Sequence, residues 1–132
     1  MRPIFLVIDP PDPESLSTRK LVLESAMFNV LTANSCDEGK ELIENMPVHG
    51  IVVHERAFHG KDPRVTIAEL RQTRPNAPVI LLSVNPSGKD GADRVLSSHD
   101  PVELVRVIRE MLNLPADPTR WEPEPPERSR PS

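Results

Sequence analysis

The stretch GIVVHERAFHG, Gly50 to Gly60, reads as a short apolar strand running into a polar loop. Gly50–Val53 show no polar alternation, which is the pattern of a strand covered on both faces. In α/β proteins the end of such a strand commonly carries a carboxylate. Here the position holds His54. The stretch therefore implies a doubly covered sheet and, at its end, either unusual chemistry or chemistry that has been lost.

The flanking sequence repeats the same alternation. Ile4–Ile8 (IFLVI) is a continuous apolar run, followed by a helical pattern with Leu16, Val22, Leu23, Ala26 and Met27 on one face. FNVLTA is a second strand, and SCDE, from Ser35 to Glu38, is a capping box opening a helix through Leu42, Ile43 and Met46. Beyond the third strand, Val65, Ile67 and Leu70 mark a third helix that stops before Pro75. Pro78–Ser83 is the fourth strand, and RVLS is a weaker fifth. Asp100–Glu103 caps a last helix bearing Leu104, Val105, Ile108, Met111 and Leu112.

Strands alternating with helices imply right-handed crossovers and a parallel sheet. Five of them predict an α/β fold of the flavodoxin-like type with strand order 2-1-3-4-5. Ligands in such sheets sit beyond the carboxyl ends of the strands, at the switch point between strands one and three. Those ends are Ile8-Asp9 and His54.

The totals exclude several classes of function. A chain of 132 residues with net charge −4 has no basic character for nucleic acid. No apolar run approaches the roughly 20 residues of a membrane span, and the N-terminal stretch does not read as a signal peptide. The single cysteine, Cys36, fits a reducing cytoplasm. After Leu114 the composition shifts, and Pro115–Ser132 holds 6 of the 16 prolines. It reads as a flexible proline-rich tail whose Pro123 and Pro126 make a PxxP spacing, leaving residues 1–114 as the folded domain.

The segments IFLVIDPPDPESL, VLTANSCDEGKELIENM, GIVVHE, RQTRPNAPVILLS, GAD and DPVELVRVIREML, in this order and spacing, resemble the receiver domain of bacterial response regulators over about residues 3–114. The resemblance implies a site that transfers a phosphoryl group to an aspartate ending strand three. In that family Mg²⁺ is held by this aspartate and an acidic pair ending strand one. A hydroxyl ending strand four and a lysine after strand five bind the phosphoryl oxygens, and an aromatic on strand five reports the switch. Carried over, the acidic pair falls on Ile8 and Asp9, the acceptor on His54, the hydroxyl on Ser83, the lysine on Ser97 or Ser98, and the aromatic on Val95. Only Asp9 and Ser83 retain the family's chemistry.

Three readings of His54 follow. It accepts phosphate itself, though one carboxylate, no lysine and an imidazole are poor company for Mg²⁺. It joins His49, His59 and Asp9 around a transition metal, or serves Ser83 as a base, without a known ligand spacing or oxyanion hole. Or the pocket is degenerate and His54 fills space, hydrogen-bonded to Asp9 or Ser83, with proton sensing as a variant of that reading. The third accounts for all the losses together. It implies no cofactor, no metal and no catalysis, with a phosphotransfer or metal-dependent site centred on His54 as the alternative.

Other features read as structure. Cys36 at a helix start has a setting that lowers a thiol's pKa, but a lone cysteine there is ordinarily a small packing residue. Met27, Met46 and Met111 sit at core spacing. Glu55, Arg56, Lys61, Asp62 and Arg64 read as a solvated loop, and NPSGKDG matches no phosphate-binding pattern. Only Val84–Asp90 separate Ser83 from Gly91, whereas a crossover with a true helix needs about 10–12 residues. The helix between strands four and five is expected to be missing or very short. That would leave the strand-four/strand-five edge, with Val79, Leu81, Val95 and Leu96, as an interaction surface for a signalling protein or a second copy of the chain.

Overall fold

The structure, a computed structural model, describes residues 3–9, 13–85 and 91–112, with the helix at 13–18 described by its backbone alone. The proline-rich tail, Leu16's place in the helical stripe and residues 86–90 of the crossover lie outside what is described. Five parallel strands form one sheet: β1 (Ile4–Ile8), β2 (Asn29–Ala33), β3 (Gly50–His54), β4 (Val79–Ser83) and β5 (Arg94–Ser97). Their order is β2-β1-β3-β4-β5, as the alternation predicts. The helices are α1 (Pro13–Ser25), α2 (Cys36–Asn45), α3 (Pro63–Thr73) and α4 (Pro101–Met111). Among the described residues no helix separates β4 from β5.

Side chains alternate across a strand, so unbroken apolar runs supply two cores. On one face Leu6, Ile8, Ile51, Val53, Val79 and Leu81 pack with Ile43 of α2 and with Ile67 and Leu70 of α3. On the other, Phe5, Val7, Val52, Ile80 and Leu82 pack with Leu23 of α1 and with Leu104, Val107 and Ile108 of α4. Each fully buried aliphatic side chain contributes about 1.5–3 kcal/mol.

Local sequence sets the helix ends. The Ser35 hydroxyl accepts the Glu38 N–H at 3.2 Å, and Glu38 returns a carboxylate oxygen to the Asn34 N–H at 2.7 Å. Asp100 accepts the Glu103 N–H with Pro101 beside it, and Asp62 accepts the Arg64 N–H ahead of Pro63. Asp62 is thus a cap, not part of a merely solvated loop, and Lys61 pairs with Asp37 at 2.7 Å.

Three expected core positions face solvent. Met27, 37% exposed, closes α1 in the left-handed conformation, φ 73°, which turns it off the helical stripe. Met46, 41% exposed, follows the last residue of α2 in extended backbone and so leaves that helix's buried face. Val65, 56% exposed, precedes Ile67 by two residues, about 200° around a helix of 3.6 residues per turn. Val107 joins the core unforeseen.

At Gly50 the backbone passes directly over the Phe5 ring. A Cβ added there would stand 2.2 Å from that ring, which is itself buried and tilted against Phe28 at 5.3 Å. Gly50→Ala is therefore expected to destabilise the domain by about 1–3 kcal/mol, despite the ordinary cost of glycine in a strand. Urea denaturation checks this, and an unchanged midpoint would contradict the close approach.

Candidate functional site

Parallel strands place all their carboxyl ends on one side of the sheet, so Asp9, His54, Ser83 and Ser97-Ser98 gather at one rim. Ile8 is buried in the core behind it. Asp9, at the end of β1, is almost wholly buried, 1% exposed, and its partner is one that the sequence reading passed over. Arg19 of α1 reaches across the rim, pairing its guanidinium with the Asp9 carboxylate. Its other terminal nitrogen donates to the Ser98 carbonyl at 3.4 Å. Arg19, Leu23 and Ala26 are all buried at i, i+4 and i+7. A charged residue in a buried stripe was the available signal.

His54, also buried, does not bond to Asp9 or Ser83 as expected. Its Nδ1 accepts the Arg56 N–H at 3.1 Å, capping the single 3₁₀ turn Glu55–Phe58. Burial, and then the Arg19 cation, hold the His54 pKa below its ordinary value, so the ring is neutral at neutral pH. Ser83 donates its hydroxyl to Glu55 at 2.9 Å, which leaves it without the histidine base that nucleophilic chemistry would need. Glu55 is accordingly a bridging residue, not a solvated one.

The three histidines do not converge. His49, before β3, accepts the Ile4 N–H through Nδ1 at 2.9 Å, at the opposite end of the sheet from His54. His59 lies with Nε2 3.4 Å from the Asn34 carbonyl. Among the described residues no three His, Cys, Asp or Glu side chains stand where they would hold one metal ion. The rim also fits Mg²⁺ poorly. A dication beside Asp9 would meet a carboxylate already paired with a guanidinium, and the other carboxylate of the rim, Glu55, is engaged by Ser83 and Val84, where hard-cation sites use several oxygens. Ser97 ends β5, where its Oγ accepts the His99 N–H at 3.2 Å, and Ser98 meets Arg19 only through its carbonyl. Neither supplies a cation. The Cys36 thiol is pushed up to about 11, chiefly by burial, which outweighs its place at a helix start.

The rim opens toward β4 and β5 as a cleft of about 430 Å³, lined by Phe58, Pro63, Leu81 and Val95 with Glu55, Arg56, Lys61, Ser83 and Asn85 around them. Val79 and Leu81 are buried, so they floor the edge and do not present a surface. Val95 and Leu96 are partly exposed.

This architecture is that of the CheY-like receiver domains. The chain superposes on a receiver domain protein of Methanospirillum hungatei with a TM-score of 0.75 at 21% identity, covering 86% of this chain and 95% of that one. A response regulator of Thermotoga maritima gives 0.72 at 21%, covering 86% and 99%. The receiver domain of a Pseudomonas aeruginosa sensor histidine kinase, crystallised with a magnesium ion in its active-site cleft, gives 0.74 at 17%, covering 86% and 99%. No protein-family model matches the chain, and no curated protein does.

Two predictions test the rim. Arg19→Met leaves the buried Asp9 carboxylate without its cation and is expected to cost about 3–5 kcal/mol near neutral pH, read by chemical denaturation. Because the folded His54 pKa lies below 6.5, the unfolded chain binds the proton first as pH falls. The contribution of His54 is full above that value and is lost as pH drops toward the folded pKa. Asparagine keeps an acceptor for the Arg56 N–H and does not titrate. The stability difference between wild type and His54→Asn should therefore shift against wild type from about pH 7.5 to about pH 5.5, and a pH-independent difference would refute the neutral buried ring.

Proposed function

We propose that the chain is a receiver-type signalling module that works by protein–protein contact and without phosphorylation. The observation that carries this reading is the buried Asp9–Arg19 pair. A receiver's phosphoryl chemistry needs a dication beside the strand-one carboxylate. Here a side chain of the same polypeptide already neutralises that carboxylate. The acceptor position holds a neutral histidine whose Nδ1 is engaged by the backbone, which weakens the rival reading of phosphotransfer centred on His54. No cofactor is needed for this role.

Its partner is a signalling protein or a second copy of the chain, acting in the bacterial cytoplasm. Among the described residues no helix is long and apolar enough to cross a membrane. The contact is assigned to the β4–β5 edge, where Val95 is partly exposed in the cleft and Leu96, on the opposite face against the α4 side of the core, is also partly exposed.

Incubation with a small phosphodonor and Mg²⁺ is expected to leave the intact mass unchanged, and a phosphoryl adduct would overturn the reading. Val95→Glu is expected to keep the wild-type circular dichroism spectrum while losing the partner or second copy in sedimentation analysis. Retention of the contact would move it off this edge.

A further inference from the structure

Glu55 stands one residue beyond His54, in the first turn after β3. Both of its carboxylate oxygens are engaged by the exit of β4. Oε1 accepts the Ser83 hydroxyl at 2.9 Å, and Oε2 accepts the Val84 N–H at 2.8 Å. The Ser83 oxygen in turn accepts the Asn85 N–H at 3.2 Å, which leaves the hydroxyl hydrogen to point at Glu55. A hydroxyl and a backbone N–H converging on the two oxygens of one anion form an oxyanion cradle, since charge-assisted hydrogen bonds of this kind are shorter and stronger than neutral ones.

We propose that Glu55 is a built-in ligand of this cradle, occupying from within the chain an oxyanion site made by Ser83 and Val84 and holding the β4 exit in its anion-bound geometry. The proposal rests on the reading of the domain as phosphorylation-independent and deepens it: the negative charge at the hydroxyl-bearing strand end is a side chain, permanently present. The Glu55 pKa is held below the usual carboxylate value, first by the Val84 N–H, so the group is ionised throughout the physiological range. The held segment borders the cleft that contains Leu81 and Val95, so the carboxylate sets the shape of the proposed contact edge. Val84 is 45% exposed, so an external anion can reach the cradle once the carboxylate is gone.

The test is an amide-shift titration of the isotope-labelled full chain, with no partner present, using sodium acetate and then inorganic phosphate. In Glu55→Ala the Val84 and Asn85 amides are expected to shift saturably toward their wild-type positions with either anion, and not with sodium chloride at matched ionic strength. Wild type is expected to show no saturable shift, because its cradle is filled. A folded Glu55→Ala chain with no saturable response, or a wild-type chain that responds equally, overturns the proposal. Should Glu55→Ala fail to fold, the wild-type chain decides. Its Val84 amide must shift together with the titration of the Glu55 carboxyl, with a midpoint below 4.5, and a Val84 amide indifferent to that titration overturns the proposal. A phosphoryl adduct in the mass measurement would defeat the phosphorylation-independent reading separately, whatever the amides do.

Discussion

Parallel strands leave a sheet that is apolar on both sides, and the rest of this molecule follows from covering it. Water must be excluded from two faces, so the chain crosses over by helices between strands and packs α2 and α3 on one core and α1 and α4 on the other. The same constraint sets Gly50, where only the smallest residue lets the β3 backbone pass the Phe5 ring. It also directs every strand's carboxyl end to one rim, which is why residues as far apart in sequence as Asp9, His54, Ser83 and Ser98 are neighbours.

At that rim the burial that stabilises the fold makes uncompensated charge expensive. The molecule resolves this with its own side chains. Arg19 neutralises Asp9, His54 stays uncharged and caps a turn, and Glu55 is held by Ser83 and Val84. Cation and anion are both supplied internally, from α1 and from the first turn after β3. A pocket built in this way needs no exchangeable ion for its charge balance, in contrast to the magnesium-bound cleft of the Pseudomonas aeruginosa receiver domain that shares its architecture.

The opposite situation holds at β4 and β5. Here no described helix lies between the two strands in the chain, and Val95 on the α2–α3 face and Leu96 on the α1–α4 face are only partly covered. The charges of Asp9 and Glu55 are thus met from within the chain, although Asp9 Oδ1 has no hydrogen-bond partner among the described residues, while the edge is incompletely covered. The proposed division of labour, with a silent pocket beside a binding edge, follows from that asymmetry.

Strand order, the caps at Ser35 and Asp100 and the positions of Asp9, His54 and Ser83 at strand ends were all legible in the sequence, because they depend on periodicity and on short-range chemistry. The histidine's partner was not, nor was the role of Glu55, since a one-residue step beyond a strand end does not say which backbone donors it will meet. Met27, Met46 and Val65 looked like core by spacing. They lie outside because helix ends and a 200° offset, decided by tertiary packing, turn them away. The sequence by itself determined the alternation of buried strands and amphipathic helices, and with it the sheet and the rim at its strand ends, since those follow from local pattern alone. Only the tertiary structure decided that Arg19 neutralises Asp9 and that Glu55 fills the Ser83–Val84 cradle. Those pairings join residues 10 and 28 positions apart, and they depend on how helix and strand ends are set in space.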